Sequence, residues 1–368
     1  MALNQVGLER LGTSVTDKIG ERKNLVINGA MQVAQRGTSS TDNAYGSVDR
    51  FKMALSSVDE NPTQAQADVA SGTTPYSLGF RKAFKVTNGN QTSGAQTGDV
   101  IIFSYNFEAQ DIANSGWNYT SSSSDITLSF WVKSSVAQNF FIRLLSFDGT
   151  LQAYSMETGS LSADTWTKIT KTIPGNSNLT FDNNADNGLR LEFIIYRGTS
   201  FTGSVTLNQW AANDNNNRNP DCTSTWYTTN DATFEVTGLQ LEVGSVVTDF
   251  EHRSFGQELA LCQRYLYVLD LGSDTNVIHL TMNRLNSNTG APHQSIRYPV
   301  QMRSAPSMTK EGTSFTGTGY QSNITLGAGN ESAGNLVGDG ATAAGDSSWH
   351  RVNTTSSSTL RYLFSAEL

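Results

Sequence analysis

The chain has 368 residues, a formal net charge of −8 and a pI near 5.1. A chain of this length exceeds one ordinary hydrophobic core, so we expect two domains and a short terminal piece. The acidic balance argues against a nucleic-acid partner, because such proteins use basic patches to displace counterions. A membrane-spanning helix needs about 18 consecutive apolar residues, and no apolar run in the sequence is nearly that long, which argues against membrane insertion.

The composition favours β structure with many turns. Apolar residues make up 37% of the chain and charged residues only 16%, and much of the remainder is Ser, Thr, Asn and Gly, which suit loops and exposed sheet faces. The two cysteines do not form a disulfide framework, although one bridge between them stays open. We expect Cys222 in an Asp/Asn-rich loop and Cys262 packed on the apolar face of a helix.

Residues 1–23 predict a short amphipathic helix. Leu8, Leu11, Val15 and Ile19 recur at spacings of three and four residues. A helix of this length is marginal in water by itself. We expect it to associate with copies of itself or to dock on an attachment site; a frayed chain end is the alternative.

From Asn24 onward the pattern changes to β. A short strand is predicted at 25–27, followed by a turn at Asn28–Gly29. Seven further strands are predicted between polar, turn-forming segments, at 80–86, 100–107, 126–132, 140–147, 167–173, 189–196 and 234–243. About eight strands with such turns indicate a two-sheet sandwich.

The segment 236–269 predicts a change of structure along the chain. Alternation in 235–243 is typical of a strand, with a bulge at Gly238. Ser254 and Gln257 form a capping-box pair, and apolar residues at helical spacing predict a helix near 255–267. Beyond it, strands are predicted at 277–282, 295–300, 314–318 and 359–364. The Gly/Ala-rich stretch 326–348 predicts a long surface loop or a segment that packs against neighbouring copies.

Several stretches resemble tail-fibre and receptor-binding proteins of tailed bacteriophages, especially marine ones. The stretches that match their carbohydrate-binding jelly-roll domain are, in chain order, NLVINGAMQVAQRGTSS, YGSVDRF, ITLSFWVKSS, TWTKITKTIPG, DNNADNGLRLEF and VTGLQLEVGSVVTDFEHRSFGQELALCQRYL. YPVQMRSAPSM and YLFSAEL resemble the β-rich tip domain that often follows. The segment NQWAANDNNNRNPDCTSTWYTTND is an insertion-like departure, so no ligand is carried over from a relative.

We expect an all-β protein with a short N-terminal helix (1–23), which the periodicity predicts and which matches nothing in this family. The resemblance implies a jelly-roll domain (24–253) and a linker helix with a β-rich tip (254–368). It further implies a virion protein, often a homotrimer, that contacts the host surface. We expect it to bind a host-surface glycan and to contact other tail or capsid proteins through residues 1–23. We expect multivalent, non-enzymatic adhesion. A capsid or tail decoration protein of the same fold is the structural alternative, and a polysaccharide depolymerase is the enzymatic one.

Strand phase gives a candidate glycan groove. On strand 126–133 the even-numbered side chains face the core, so Trp131 and Lys133 share the opposite face. The same reasoning pairs Arg190 with Glu192 and Gln240 with Glu242. An aromatic ring that stacks on a sugar, ringed by polar groups, would form a groove. The alternative is a half-buried Trp131 on an ordinary solvated sheet face.

Two loops offer further candidates. Trp117 and Tyr119 lie in a polar loop, as do Trp210, Trp226 and Tyr227. They either form a binding surface or plug the ends of the sandwich. Asp182, Asn184 and Asp186 alternate as calcium ligands do, but the EF-hand glycine and glutamate are missing. We therefore expect a turn and no cofactor, with a structural calcium ion left open.

Catalytic motifs find little support in the sequence. The four histidines are scattered, and no metal-binding spacing, nucleophile elbow or phosphate loop is present. Asp249, Glu251, His252 and Ser254 cluster in sequence, but at a domain exit where polar capping residues are expected. The sequence therefore predicts a binding protein rather than an enzyme.

Overall fold

The structure is a computed structural model, and it describes residues 23–270, 281–284, 292–311, 324–338, 350–351 and 361–368. The predicted N-terminal helix and the predicted strand 314–318 lie outside these residues, as does most of the predicted strand 277–282. None of the helices in the described ranges is long and apolar enough to cross a membrane.

The described residues 23–243 form mainly β structure, and their strands are, in chain order, β1 (Ser39–Ser40), β2 (Phe51–Ser56), β3 (Thr63–Asp68), β4 (Lys82–Thr87), β5 (Val100–Glu108), β6 (Asp125–Ser134), β7 (Phe141–Ser146), β8 (Gln152–Glu157), β9 (Thr167–Pro174), β10 (Asn187–Arg197), β11 (Trp210–Ala212) and β12 (Thr233–Val243). Short helices interrupt them at α1 (Thr74–Ser77), α2 (Ala109–Ala113) and α3 (Thr225–Thr228).

These strands form two antiparallel sheets. The front sheet has the order β1-β3-β4-β12-β6-β9, and the back sheet has the order β11-β8-β7-β10-β5-β2. From β4 to β7, and again from β8 to β10, each strand lies in the opposite sheet from the strand before it. This path gives the two four-stranded sets of a jelly roll, β4-β12-β6-β9 and β5-β10-β7-β8. The predicted all-β jelly-roll fold is confirmed.

Apolar side chains of the two inner faces meet in the core. Alternate residues of each strand point inward, as the period of a strand requires. Phe103 and Phe193 stack with ring centroids 4.6 Å apart within the back sheet, and Phe130 of the front sheet meets Phe193 edge-on at 5.1 Å. All three are at most 1% exposed, so this aromatic layer joins the sheets.

The predicted central strands lie within about two residues of the observed ones, but five others, β1, β2, β3, β8 and β11, were missed. β3 and β8 carry too many polar residues for their alternation to stand out, and β1 and β11 have only two and three residues. β2 alternates regularly but was not recognised. The strand predicted at 25–27 is wrong. There the N–H of Val26 bonds the Asn24 side chain and that of Ile27 bonds the Tyr105 hydroxyl, so no ladder forms.

Strand β12 and the helix after it match the predictions closely. Gly238 has φ +62°, and the register with β6 shifts between Thr237 and Gln240, which is the predicted bulge. Helix α4 (Phe255–Gln263) begins with the predicted capping box, in which Ser254 and Gln257 bond each other's backbone. The helix ends four residues early because β13 (Leu266–Asp270) follows. Cys262 is fully buried, and both cysteines are free.

The remaining described strands are β14 (Thr281–Arg284), β15 (Pro292–Arg297), β16 (Ser307–Glu311), β17 (Ile324–Gly329), β18 (Ala333–Gly338), β19 (His350–Arg351) and β20 (Arg361–Ser365). They form a three-stranded sheet, β13-β20-β16, and a five-stranded sheet, β17-β18-β15-β14-β19. This part is β-rich, as predicted.

The predicted loop at 326–348 is wrong over its first part. β17 and β18 pair there as a hairpin. Leu336 is fully buried, and a Cβ on Gly334 would come within 2.5 Å of the Tyr298 hydroxyl. The small residues therefore permit close packing, which composition alone did not reveal.

The last residues of the chain bind the sandwich. Glu367 lies 2.6 Å from the buried guanidinium of Arg50, and the Tyr45 hydroxyl donates to the Leu368 carbonyl at 2.7 Å. Arg264, next to α4, forms a two-bond pair with Glu108 at the end of β5. The domain boundary at 253/254 stays a prediction.

Candidate functional site

The six residues of the predicted groove lie on two different faces. β6 and β12 belong to the front sheet, but β10 belongs to the back sheet. Arg190 and Glu192 therefore project from the opposite side of the sandwich from Trp131, and the prediction of one shared groove is wrong. Strand phase tells which side chains point away from the core, but it does not tell which sheet a strand joins.

The outer side of the front sheet, which we call the front face, is centred on Trp131. Its cross-strand neighbours are Thr237 on β12 and Lys168 on β9. Trp131 is half-buried against an apolar cluster that includes buried Phe80 and partly buried Phe250. Phe80 and Phe250 meet edge-on with ring centroids 4.9 Å apart. An aromatic platform thus lies on the outside of the sheet.

Trp166 extends this platform at the start of β9. The Lys133 ammonium lies 5.2 Å from the centre of its ring and 2.9 Å from Glu235 Oε1. Lys85 stands on the other side of Glu235, as its cross-strand partner on β4. Two lysines thus flank one carboxylate beside the tryptophans.

A depression of about 270 Å³ opens at the platform, which we call the Trp131 depression. Its lining combines aromatic, cationic and hydrogen-bonding groups, and consists of Leu78, Phe80, Ser129, Trp131, Lys168, Gly238, Thr248, Asp249, Phe250 and His252. The bulge at Gly238 makes room for Phe80, because a Cβ at Gly238 would lie 2.6 Å from the Phe80 ring. His252 and the Leu78 carbonyl, 2.9 Å apart, hold the two walls together.

The two front-face tryptophans differ from the other described ones. The indole N–H groups of Trp117, Trp210 and Trp226 each donate to a backbone carbonyl at 2.7–3.0 Å. Within the described residues, the indole N–H groups of Trp131 and Trp166 have no such acceptor. Both rings are also partly exposed. They combine an open aromatic surface with an unused donor.

Gln240 and Glu242 support the site from below. Both are at most 1% exposed. Glu242 accepts bonds from the Thr248 N–H and hydroxyl at 2.9 and 2.6 Å, and Gln240 accepts from the Glu251 N–H at 2.9 Å. These bonds fix the loop that carries Phe250 and His252. Both predicted residues therefore position the depression instead of lining it.

Glu192 lies in a buried ion cluster on the back sheet. Its Oε2 is 3.3 Å from both Arg143 and Arg197, and its Oε1 is 3.8 Å from Arg190. Burial alone would raise the pKa of the Glu192 carboxyl, but Arg197 and Arg143 outweigh burial and hold that pKa below its usual value. The carboxylate is occupied by structural partners.

The loop aromatics mostly follow the packing alternative. Trp117 is 3% exposed, and Tyr119 meets Phe181 edge-on at 5.0 Å, so the pair plugs one end of the sandwich. Trp226 and Tyr227 are at most 1% exposed, and their burial argues against a binding surface there.

The acidic segment at 182–186 forms a turn. The carbonyls of Asn184 and Asp186 accept from the N–H groups of Gln110 and Ala109, and the Asp186 N–H bonds the Asn184 side chain. Across the described part of the chain, no group of three His, Cys, Asp or Glu side chains is placed to hold a metal ion. A structural calcium ion stays a prediction.

Sequence reasoning missed Trp166, Phe80 and Phe250. Trp166 had a usable signal, since it shares the phase of outward-facing Lys168 two residues later. Phe80 and Phe250 had none, because both lie outside the strands and reach the front face through loop paths that the sequence pattern does not specify.

The comparisons with known proteins identify no family. No family model matches the chain, and no curated protein matches its sequence. Among solved structures, it is similar to the enzymatically active domain of tailspike protein 4 from bacteriophage CBA120, with 10% identity, a TM-score of 0.32, and coverage of 60% of this chain and 21% of that one. The match thus spans about a fifth of the tailspike chain.

Two binding modules are also similar. One is the N-terminal cellulose-binding domain of Cellulomonas fimi β-1,4-glucanase C, with 11% identity, a TM-score of 0.28, and coverage of 59% and 99% of the two chains. The other is a family 30 carbohydrate-binding module, with 10% identity, a TM-score of 0.26, and coverage of 61% and 89%. Likenesses of this size carry no functional inference, and the jelly-roll fold rests on the strand order of the two sheets.

Proposed function

We propose that the front face binds a sugar chain on a host cell surface, and that the protein is a non-enzymatic receptor-binding protein of a tailed-phage virion. The observation that carries the binding proposal is the pair Trp131 and Trp166, partly exposed on one face with uncommitted indole N–H groups. The virion assignment is supported by the sequence resemblance described above.

The chemistry of the Trp131 depression suits a sugar. The faces of indole rings stack on the apolar C–H faces of sugar rings, while hydroxyl groups need nearby polar partners. Lys168, Asp249, Ser129 and Thr248 supply such partners around Trp131. A volume of about 270 Å³ suits one or two sugar units of a chain that continues along the sheet.

Adhesion is favoured over cleavage by the charges at this site. Hydrolysis of a glycosidic bond ordinarily uses two carboxyl groups on either side of the scissile bond. Asp249 is the one carboxylate among the residues that line the depression. We therefore propose that the site holds a sugar without cutting it.

We further propose that the protein acts as a trimer. A shallow site gives weak binding, but three linked copies that engage one surface raise the apparent affinity through effective concentration. Residues 1–23 would attach the protein to other virion proteins, and adhesion would then depend on assembly as well as on the depression.

The test replaces Trp131 with Ala and measures binding to immobilised bacterial surface polysaccharides and to host cells. We expect binding to fall by about five- to thirtyfold, since stacking on an aromatic ring contributes on the order of 1–2 kcal/mol. Phe255→Ala is the control, because Phe255 is an exposed aromatic residue at the start of α4 that lines neither this depression nor any other described one. Binding that Trp131→Ala leaves unchanged, with the fold intact by circular dichroism, would refute the site.

Release of reducing sugar tests the non-enzymatic part. Incubation of the protein with the same polysaccharides should release none. Release that persists in Trp131→Ala would place a hydrolytic centre elsewhere in the chain.

A further inference from the structure

The outer side of the back sheet, which we call the back face, is covered by the Asn-rich segment 201–222. Phe201, Leu207 and Cys222 of this segment pack on an apolar cluster formed by Val100, Ile102, Phe141 and Ile194. Strand β11 of the same segment pairs with β8, and Thr202 bridges to Asn219. The segment is therefore an ordered layer over the sheet.

A second depression lies at the edge of this layer, which we call the Arg218 depression. Its volume is about 240 Å³, and its lining, which is mainly polar and small, consists of Ala153, Ser155, Ser204, Val205, Thr206, Gln209, Ala211, Ala212, Asp214, Asn217 and Arg218. It contains no aromatic ring. Its recognition chemistry would therefore be hydrogen bonding and charge, in contrast to the Trp131 depression.

The charge beneath this depression is unbalanced. Ser155 is the cross-strand neighbour of Arg143, and Arg143 and Arg197 share the single carboxylate of Glu192. The Nε groups of both arginines are buried without a hydrogen-bond partner. Burial lowers the pKa of Arg143, and the attraction of Glu192 is opposed by repulsion from Arg197 and Arg218. In a chain of net charge −8, this is a local excess of positive charge.

Arg218 brings that positive charge to the lining. Its Nε donates to the Asn215 carbonyl at 2.9 Å, and its guanidinium lies 5.1 Å from the centre of the Phe201 ring. Within the described residues its two terminal nitrogens donate no hydrogen bond. The guanidinium is thus held in place through Nε, while its two terminal nitrogens can donate hydrogen bonds to two oxygens of one oxyanion.

Asp214 is the one carboxylate in the lining, and it is already engaged. Its oxygens accept from the N–H of Asn216 and the side chain of Asn217, both at 2.8 Å. These hydrogen bonds hold the pKa of Asp214 below its usual value, and the bond from the Asn217 side chain has the largest effect. Its charge reduces the positive excess but leaves the Arg218 terminal nitrogens available.

We propose that the Arg218 depression binds the anionic group of an acidic sugar, a sulfate ester or a uronic-acid carboxylate. Both groups present paired oxygens that match the geometry of a guanidinium, and Ser204 and Thr206 supply exposed hydroxyl donors. The volume fits one charged sugar unit. This site is independent of the front-face proposal, since it lies on the other sheet.

The experiment titrates the full chain with three probes by calorimetry: sodium sulfate, a sulfated oligosaccharide and a uronic-acid oligosaccharide. Ionic strength is held constant with sodium chloride. We expect Arg218→Gln to weaken binding by at least about tenfold, because a charge-assisted, two-point contact is lost. Arg218→Lys should restore it only in part. Arg81→Gln is the control, because Arg81 is an exposed arginine stacked on Tyr76 at the front sheet.

The outcomes separate the two proposals. Saturable binding of either oligosaccharide that falls in Arg218→Gln and is unchanged in Trp131→Ala supports this second site, and the preferred probe identifies the anion. Absence of binding to every probe overturns it. Binding that is equal in Arg218→Gln and in the native chain also overturns it, provided that thermal unfolding shows both to be folded.

Discussion

The two outer faces of the sandwich differ in what covers them. The front face leaves Trp131 and Trp166 partly exposed with free indole N–H groups, and its Lys133–Glu235 pair joins a partly exposed lysine to a buried carboxylate. The back face is covered by residues 201–222 and holds the Glu192 ion cluster beneath them. The same fold thus has an aromatic, open face and a charged, covered one.

The two faces differ because exposed aromatic residues and buried charges have different effects on stability and binding. An exposed aromatic pair costs stability, because apolar surface stays in water, and it is retained where binding uses it. A buried carboxylate among arginines orders the layer above it, since a buried charge needs its partners. We therefore predict that the front-face tryptophans contribute mainly to binding and that the Glu192 ion cluster contributes mainly to stability.

The largest loss of stability is expected when the Glu192 ion cluster is broken. Glu192→Gln leaves Arg143 and Arg197 buried with no opposing charge, so we expect a loss of about 3–5 kcal/mol in the free energy of unfolding. Asp68→Asn, which breaks an exposed front-sheet pair with Lys82, should cost no more than about 1 kcal/mol. Urea denaturation measures both. Equal losses of unfolding free energy in Glu192→Gln and Asp68→Asn would contradict the proposed difference between the two faces.

The next effect concerns the bulge under the Trp131 depression. Gly238→Ala places a Cβ at positive φ and within 2.6 Å of Phe80, so we expect a cost of about 1–3 kcal/mol together with weaker polysaccharide binding. Gly116→Ala is the control, because its φ is also positive while a Cβ there meets nothing within 4 Å. If both variants bind normally, Gly238 does not shape the site.

Acid should affect the back cluster selectively. Because the folded pKa of Glu192 is lowered, its contribution to stability is complete above its unfolded value near 4.5 and is lost as pH falls through the folded pKa, by at most about 1.4 kcal/mol per pH unit. Below pH 4.5 the native chain should therefore lose stability more steeply than Glu192→Gln. Parallel curves would contradict this assignment.

The buried carboxyl of Asp49 changes the stability with pH in the opposite direction to Glu192. Burial raises the pKa of its carboxyl to about 6, against hydrogen bonds from Gln35. Its contribution is therefore greatest below its unfolded value near 3.8 and is lost as pH rises through about 6. The native chain and the Glu192→Gln variant both keep Asp49, so its effect cancels when their pH–stability curves are compared.

The smallest effect distinguishes the two front-face tryptophans. Trp166→Ala should weaken polysaccharide binding less than Trp131→Ala, by about threefold, because Trp166 lies outside the residues that line the depression and its ring already contacts Lys133. Binding isotherms on the same polysaccharide compare them. A larger loss at Trp166 would move the centre of the site toward the start of β9.

Much of the fold was predictable from the sequence. Alternation located β4, β5, β6, β10 and β12, and the Ser254–Gln257 pair located the start of α4. These features are local, since a strand period and a capping box are complete within a few residues. β3, with the sequence TQAQAD, was missed because its strand conformation depends on pairing with β4.

The site was predictable only in part. Phase correctly placed Trp131 and Lys133 outside the core, because each strand has one buried side. It could not separate them from Arg190 and Glu192, since sheet membership is set by pairing between distant strands. It also gave no sign that Gln240 and Glu242 would lie under the loop at 244–252, because a loop path has no periodic signal.

The most direct test of the account is a nitrogen–proton NMR titration of the tryptophan indole signals, assigned by single Trp→Phe variants, with a polysaccharide fragment that the protein binds. We predict saturable shifts at Trp131 and Trp166, whose N–H groups are free, and little change at Trp117, Trp210 and Trp226, whose N–H groups are bonded to carbonyls. Shifts confined to those three, with Trp131 and Trp166 unmoved at saturation, would contradict the assignment of the front face as the glycan-binding site.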